Sequence, residues 1–226
     1  SPVTTTAYSL FVVGTSASIG ALRNWNKGLI DFRIAIVFAI PAFIAVFIVR
    51  KYLLPIIPLE LFTIFDLVVT KDMAVMVFLA IIMLFSAISM IWKRKLPQGG
   101  HHSIGFNYKL IVLQGISIGL ITGVVGIGGG FLIIPTLVLL VKLPMKKAVA
   151  TSLFIIALKS LIGFMGDLGH IEINWQFLLG FTMVSTLGIF VGMYLSSFIK
   201  GEKLKKSFGW VVMVLAIGIF YKEIFT

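Results

Sequence analysis

Residues Gly119–Leu140 read GLITGVVGIGGGFLIIPTLVLL and belong to an apolar run that extends from Leu110 to Val141, a total of 32 residues. As one straight helix, this run would be about 48 Å long, whereas the hydrocarbon core of a bilayer is about 30 Å thick. Four glycines and a proline near its centre also disfavour a continuous helix. The pattern predicts two short helices that meet at a glycine break, so that the segment enters the membrane and returns to the same side.

The rest of the chain has the composition of a membrane protein. Of its residues, 59% are hydrophobic and 12% are charged, and the mean hydropathy is +1.12. Soluble domains average about 45–50% apolar and about 25% charged residues. Further apolar segments lie near residues 2–22, 34–50, 73–92, 148–166, 173–199 and 207–221. Because these runs are continuous and mostly near spanning length, they predict an all-α, multi-pass membrane protein.

The net charge of +11 comes from cations in short clusters between the apolar runs. This distribution indicates membrane topology and not a nucleic-acid-binding face. If the run 110–141 crosses the membrane once, the cations divide 8 against 10 and give no orientation. If it returns, 14 cations share one side and 4 lie opposite, with Lys159 inside a span. The positive-inside rule therefore favours the returning hairpin, with a basic cytoplasmic linker at residues 93–109 and the C-terminus outside.

An internal repeat supports this architecture. A shift of 143 residues aligns residues 7–32 with residues 150–175 and gives 7 identities in 26 positions. Under the hairpin topology the two copies run in opposite directions, as in many secondary transporters. We therefore expect a first repeat at residues 1–92 and a second, inverted repeat at residues 110–226. The first repeat lacks its own hairpin: either an upstream segment supplies it or the first repeat has lost it, and the start at Ser1 instead of methionine favours the former.

Two further motifs accompany the glycine block Gly119–Leu140: Ala148–Phe154, which reads AVATSLF, and a degenerate copy of it at Thr6–Phe11. With these three motifs the chain resembles the TauE/SafE family of sulfite exporters. A glycine block followed by proline and then by Ala-x-x-Thr-Ser-Leu is more specific than a bare run of glycines. The resemblance implies a multi-pass transporter of the cytoplasmic membrane that is linked to sulfite, organosulfonates or related sulfur compounds.

The glycine break provides the first group of candidate substrate-binding residues. A half-helix that begins after Gly130, with Pro135 near its start, would direct free N–H groups and its positive dipole end toward an anion. Gly126, Gly128 and Gly129 would let the backbone approach the anion without an intervening side chain. The alternative is that these glycines only permit close helix packing.

The next helix provides the second group, which consists of Thr151, Ser152 and Lys159. The two hydroxyl groups are able to donate hydrogen bonds to an oxyanion, although small residues in membrane helices also serve packing. A cation inside a span indicates function because it is expensive to bury there. The alternatives are that Lys159 snorkels toward the interface or pairs with Asp167. The aligned positions of the first repeat are Ser9 and Ser16.

Further histidines and acids are weaker candidates, and we expect no cofactor or metal. His101 and His102 lie in the linker, and Glu60 and Asp66 lie in the segment 52–70, which is expected in the membrane interface. Asp167, His170 and Glu172 cluster in a predicted external loop; they are able to form a cation site, but acids are also tolerated there without a binding role. The sequence therefore favours a non-enzymatic transporter of a small anion in the lipid bilayer, without nucleic acid, and leaves open whether copies of the chain associate. The alternative is a membrane-embedded accessory subunit or enzyme, which would require intramembrane acid, histidine or metal constellations.

Overall fold

The computed structural model describes residues 2–53, 56, 60–64, 67–92, 108–125, 130–167 and 173–225. Within these ranges, eight helices of ten or more residues follow one another along the chain. They are α1 (Pro2–Asn26), α2 (Phe32–Ile48), α3 (Lys71–Trp92), α4 (Tyr108–Val125), α5 (Gly130–Leu139), α6 (Met145–Asp167), α7 (Trp175–Phe198) and α8 (Gly201–Phe225). A π-helical turn, Val49–Leu53, follows α2 directly.

Five helical segments among the described residues are long and apolar enough to cross a membrane. They are Phe32–Leu53, Met73–Trp92, Met145–Met165, Trp175–Phe198 and Gly201–Glu223. Helix α4 is apolar but shorter, and α1 is not among the five although it contains 25 residues. The helical, multi-pass class that the sequence predicts is therefore confirmed.

The long apolar run around the glycine block contains two described helices. Helix α4 ends at Val125 and α5 begins at Gly130, on either side of the predicted break. Gly126, Gly128 and Gly129 themselves lie outside the described residues. Helix α5 has ten residues, so it is about 15 Å long and reaches across about half of a bilayer core. The return of this segment to its side of entry stays a prediction.

A two-stranded antiparallel hairpin precedes α3, in the segment that the sequence placed in the membrane interface. Its strands are β1 (Glu60–Ile64) and β2 (Leu67–Thr70), and Ile64 lies opposite Leu67. The register is irregular between Glu60 and Phe62. The sequence analysis did not predict these strands, although a local richness in β-branched residues favours them. The interfacial position of the hairpin stays a prediction.

The described helices pack into two compact units. The first unit consists of Ser1–Ile36 and Leu143–Gly201, and the second consists of Val37–Lys142 and Glu202–Thr226. Each unit therefore contains parts of both predicted repeats, 1–92 and 110–226. Packing defines the units and sequence similarity defines the repeats, so the two divisions are not alternatives. The division into repeats stays a prediction.

In the first unit, α1 and α6 pack against each other in opposite directions. A Cβ atom placed on Gly163 would lie 3.2 Å from Leu10 Cδ1, and one placed on Gly20 would lie 3.1 Å from Leu153 Cδ1. Early residues of α1 thus contact late residues of α6, and the reverse. Small residues at these points let the two helices approach closely. The last residues of α1 and the first residues of α6 therefore lie at the same end of the pair.

Two of the aromatic contacts around this helix pair are matched copies of each other. Phe32 packs edge-on against Phe154, with ring centroids 5.2 Å apart and an interplanar angle of 82°. Trp175 packs edge-on against Phe11, with centroids 6.1 Å apart and an angle of 84°. The shift of 143 residues carries Phe32 onto Trp175 and Phe11 onto Phe154. Each contact is therefore the counterpart of the other with the two repeats exchanged.

The hydrogen bonds at the start of α2 and α7 show the same exchange. The N–H of Asp31 donates to Thr151 Oγ1 at 3.1 Å, and the N–H of Asn174 donates to the Tyr8 hydroxyl at 2.6 Å. The same shift carries Asp31 onto Asn174 and Tyr8 onto Thr151. The side chains of Asp31 and Asn174 also cap α2 and α7. Each Oδ1 atom accepts a hydrogen bond from the backbone N–H three residues later, at 3.1 Å in both cases.

In the second unit, three glycines of α4 form a column against α2. A Cβ atom on Gly115 would lie 2.6 Å from the carbonyl oxygen of Phe38, and one on Gly119 would lie closer still to that of Ala42. Gly123 continues the column one turn later, at the end of α2. Glycine is required here because a backbone oxygen cannot move aside as a flexible side chain can. This Gly-x-x-x-Gly-x-x-x-Gly spacing, typical of close helix pairs in membranes, was not singled out in the sequence.

The neighbouring face of α4 packs on the core of the second unit. Ile118 and Ile121 lie against a buried cluster contributed by α3, α5 and α8. The cluster consists of Leu79, Met83, Ala87, Leu132, Val212 and Ala216. Helix α4 therefore lies between α2 on its glycine face and this cluster on its isoleucine face.

Candidate functional site

Thr151 and Ser152 are fully buried in α6, with exposed fractions of 0%. The Thr151 oxygen accepts the hydrogen bond from Asp31 N–H, whereas the Ser152 hydroxyl donates to the carbonyl of Val149 at 2.9 Å. A hydroxyl group provides one donor and two acceptor positions. Thr151 is thus an acceptor for the backbone of Asp31, while the proton of Ser152 is used within the helix, and contact of either hydroxyl with an anion stays a prediction.

The two serines predicted in the first repeat have different surroundings. Ser9 is exposed on α1. Ser16 is 4% exposed, and its hydroxyl lies 2.8 Å from that of Ser185 on α7. Ser16 thus joins α1 to α7 within the first unit, whereas Ser9 faces outward. Contact of either serine with a solute stays a prediction.

Lys159 lies on α6 and is partly buried. It follows Ser152 by seven residues, so it lies on the same side of the helix and about 10 Å along its axis. The next residue, Ser160, is 3% exposed. Helix α6 thus presents polar groups at two levels, Thr151 and Ser152 at one and Lys159 with Ser160 at the other.

The described members of the glycine group, Gly130 and Pro135, belong to the second unit. Gly130 is the first residue of α5, and Pro135 is buried inside that helix. The first N–H groups of a helix have no partner within it, so the start of α5 offers donors of the predicted kind. Thr151, Ser152 and Lys159 belong to the first unit, and their convergence with the glycine group on one anion stays a prediction.

Among the buried polar residues that were not predicted from the sequence, Gln114 and Lys205 have the largest side chains. Gln114 of α4 is 8% exposed, and its Oε1 atom has no hydrogen-bond partner among the described residues. Lys205 of α8 is 5% exposed, although it lies outside the predicted apolar segment 207–221. An isolated amide inside an apolar run was the available signal for Gln114. For Lys205 the signal was hidden because α8 begins at Gly201, earlier than its apolar segment.

The described ranges contain no group of three or more acidic or histidine residues that could hold a metal ion. His101, His102, His170 and Glu172 lie outside these ranges, as does Asp66. The first unit offers hydroxyls and a lysine, and the second unit offers helix N–H groups, a carboxamide and a lysine. Such groups are suited to binding an anion.

Replacement of Thr151 by valine is expected to lower the free energy of unfolding by about 1–3 kcal/mol, because the N–H of Asp31 loses its acceptor. Thr151→Ser keeps the hydroxyl and is expected to retain most of the stability. Thermal unfolding of the detergent-solubilised protein measures both variants. A Thr151→Ser protein less stable than Thr151→Val would show that the methyl group, which only valine keeps, and not the hydrogen bond carries the effect.

Comparison with known proteins places the chain among membrane transporters. Residues 1–219 match the family described as sulfite exporter TauE/SafE. The chain belongs to the TauE/SafE family. This match covers nearly the whole sequence and confirms the resemblance seen in its glycine block.

Individual relatives of this TauE/SafE protein are described as transporters. A probable membrane transporter protein of Xylella fastidiosa (strain Temecula1) is 26% identical over 225 residues, which cover 93% of this chain and 80% of that protein. The probable membrane transporter protein YunE of Bacillus subtilis is 30% identical over 109 residues, covering 48% of this chain and 40% of YunE. A probable membrane transporter protein of Methanocaldococcus jannaschii is 32% identical over 114 residues, which cover 48% of this chain and 43% of that protein. No solved structure matches the chain significantly.

Proposed function

We propose that this TauE/SafE protein exports a small sulfur oxyanion, sulfite or an organosulfonate, across the cytoplasmic membrane by alternating access. The description of the family supports the substrate class. The reciprocal contacts of α1 and α6 carry the proposal of alternating access. A pair related by a two-fold axis repeats each contact with the partners exchanged. Two leucine–glycine contacts between α1 and α6 do so, as do two aromatic contacts and two backbone hydrogen bonds that join this pair to α2 and α7.

The direction of α1 and α6 also supports a returning segment at the glycine break. Because the pair is antiparallel, Lys27 after α1 and Lys147 in α6 belong to the same end of it. If α2 and α3 each cross the membrane once, the chain reaches α4 on the side where α1 ended. The segment from α4 to α5 then has to return to that side before α6 begins. Such inverted repeats are the usual basis of alternating access in secondary transporters.

The chemistry of the candidate residues suits a negatively charged solute. The start of α5 supplies N–H donors and a positive dipole end, Thr151 supplies a hydroxyl proton, and Lys159 supplies a positive charge. Export of one monovalent anion from an interior-negative cell is favourable by about 2.3 kcal/mol per 100 mV. The membrane potential is therefore sufficient to drive export by uniport, and coupling to another ion is not required.

Flux measurements on the purified protein in proteoliposomes test this function. Vesicles are loaded with isotopically labelled sulfite, thiosulfate, sulfate, an organosulfonate or, as a control, lactate, and a potassium diffusion potential is imposed. We expect protein-dependent efflux of sulfite or the sulfonate that increases when the interior is negative. Efflux equal to that of protein-free vesicles for every sulfur anion would contradict the proposal.

Replacement of Lys159 by methionine is expected to raise the KM for the transported anion about tenfold, because the solute loses an attractive charge in a medium of low dielectric constant. Lys147→Met removes an exposed cation from the same helix and serves as the matched control. Initial efflux rates over a range of anion concentrations give both KM values. A KM unchanged by Lys159→Met would assign this lysine a structural or interfacial role.

A further inference from the structure

Gln114 of α4 is an enclosed carboxamide in the second unit. Its side chain is 8% exposed, and Oε1 meets no hydrogen-bond donor among the residues that the structure describes. A buried amide oxygen without a donor is unfavourable, and the bilayer core provides no bulk water to replace one. Polar residues that persist at such positions are often those that contact a transported solute.

The position of Gln114 on its helix directs it toward the interior of the unit. Ile118 and Ile121 follow it by four and seven residues, so the three lie on one face of α4. That face packs on the cluster contributed by α3, α5 and α8, whereas the glycine column faces α2. The cluster includes Leu132 of α5, the short helix that begins at Gly130. Gln114 is therefore on the side of α4 that faces this cluster of α3, α5 and α8.

We propose that Gln114 binds the transported solute and helps to set its affinity, an inference that rests on the proposed function. A carboxamide carries two N–H donors and a carbonyl acceptor on one planar group. Rotation of this group by half a turn exchanges the donor and acceptor sides. The amide therefore suits a sulfur oxyanion in its protonated or deprotonated form, since it donates to S–O⁻ and accepts from S–OH.

Two replacements of Gln114 and one control replacement on α7 distinguish a role in solute binding from a structural role. Gln114→Leu removes both hydrogen-bonding functions, and Gln114→Glu keeps the shape but adds a negative charge. Gln176→Leu makes the same change at an exposed position of α7 and is the control. We expect Gln114→Leu to raise the KM for sulfite or sulfonate at least tenfold and to leave the melting temperature unchanged or higher, because an unpaired oxygen is removed. Gln114→Glu should weaken transport further through repulsion.

Efflux kinetics of the sulfur anions are measured for the parent and each variant. The shift in melting temperature of each protein is measured on addition of the same anions and of ammonium and carboxylate solutes. If the parent transports a sulfur anion and Gln114→Leu has the parental KM, the inference is overturned while the proposed function stands. If only a solute of another class shifts the melting temperature of the parent, and Gln114→Leu abolishes that shift, the inference stands and the proposed substrate class is overturned. If the parent shows neither efflux nor a shift in melting temperature with any of these solutes, the proposed function and the role of Gln114 are both contradicted.

Discussion

Replacement of Gly119 by leucine is expected to abolish the accumulation of folded protein. A Cβ atom at this position meets the carbonyl oxygen of Ala42, which is part of the α2 backbone and cannot turn away. Gly115 has the same relation to Phe38, so α4 cannot slide to relieve the clash at one point without creating it at another. We expect a loss of about 3 kcal/mol or more, at the upper end of overpacking effects.

Fluorescence-detected size-exclusion chromatography of tagged protein measures this effect. Gly218→Leu is the matched control, because Gly218 lies on α8 of the same unit and a Cβ atom there would meet nothing within 4 Å. The control should elute as the parent does, whereas Gly119→Leu should give aggregate or no protein. A monodisperse Gly119→Leu protein of normal yield would show that α4 and α2 are not packed as closely as described.

Replacement of Gly129 by leucine is expected to reduce efflux at least a hundredfold without affecting membrane insertion. The side chain would fill the space through which an anion approaches the N–H groups of the break. This prediction follows from the sequence, since Gly129 lies outside the described residues. Loss of transport with normal elution would distinguish it from Gly119→Leu, whose defect is in folding.

Gly188→Leu is the control for this second prediction. Gly188 lies on α7, and a Cβ atom there would meet nothing within 4 Å. Its replacement should leave both elution and efflux at the parental level. If Gly129→Leu also transports at the parental rate, the glycine block serves helix packing and the solute binds elsewhere.

The sequence predicted the helical segments because hydropathy is a local property of each run. Thus the helical segments Met73–Trp92 and Trp175–Phe198 begin and end within two residues of the predicted apolar segments 73–92 and 173–199. The hairpin at Glu60–Thr70 was missed because prolines and acids in segment 52–70 dominated its interpretation. The glycine column of α4 was also missed, because its four-residue spacing runs directly into the denser glycine block at residues 126–130.

The candidate site was less predictable because its contacts join distant parts of the chain. The sequence indicated Thr151 as a hydroxyl donor, but its role as acceptor for Asp31 N–H spans 120 positions. Periodicity indicates which residues share a helix face, not which N–H group in another helix they meet. The burial of Gln114 and Lys205 likewise depends on neighbouring helices that no single segment of sequence specifies.

The orientation of the two repeats is tested most directly by single-cysteine labelling, because the chain contains no cysteine of its own. Lys27→Cys, Lys147→Cys and Lys222→Cys variants are treated in intact cells with a membrane-impermeant maleimide. Inverted repeats with a returning segment predict that positions 27 and 147 react only after permeabilisation and that position 222 reacts in intact cells. Labelling of positions 27 and 147 from opposite sides of the membrane would contradict the inverted arrangement, and with it the proposed alternating access.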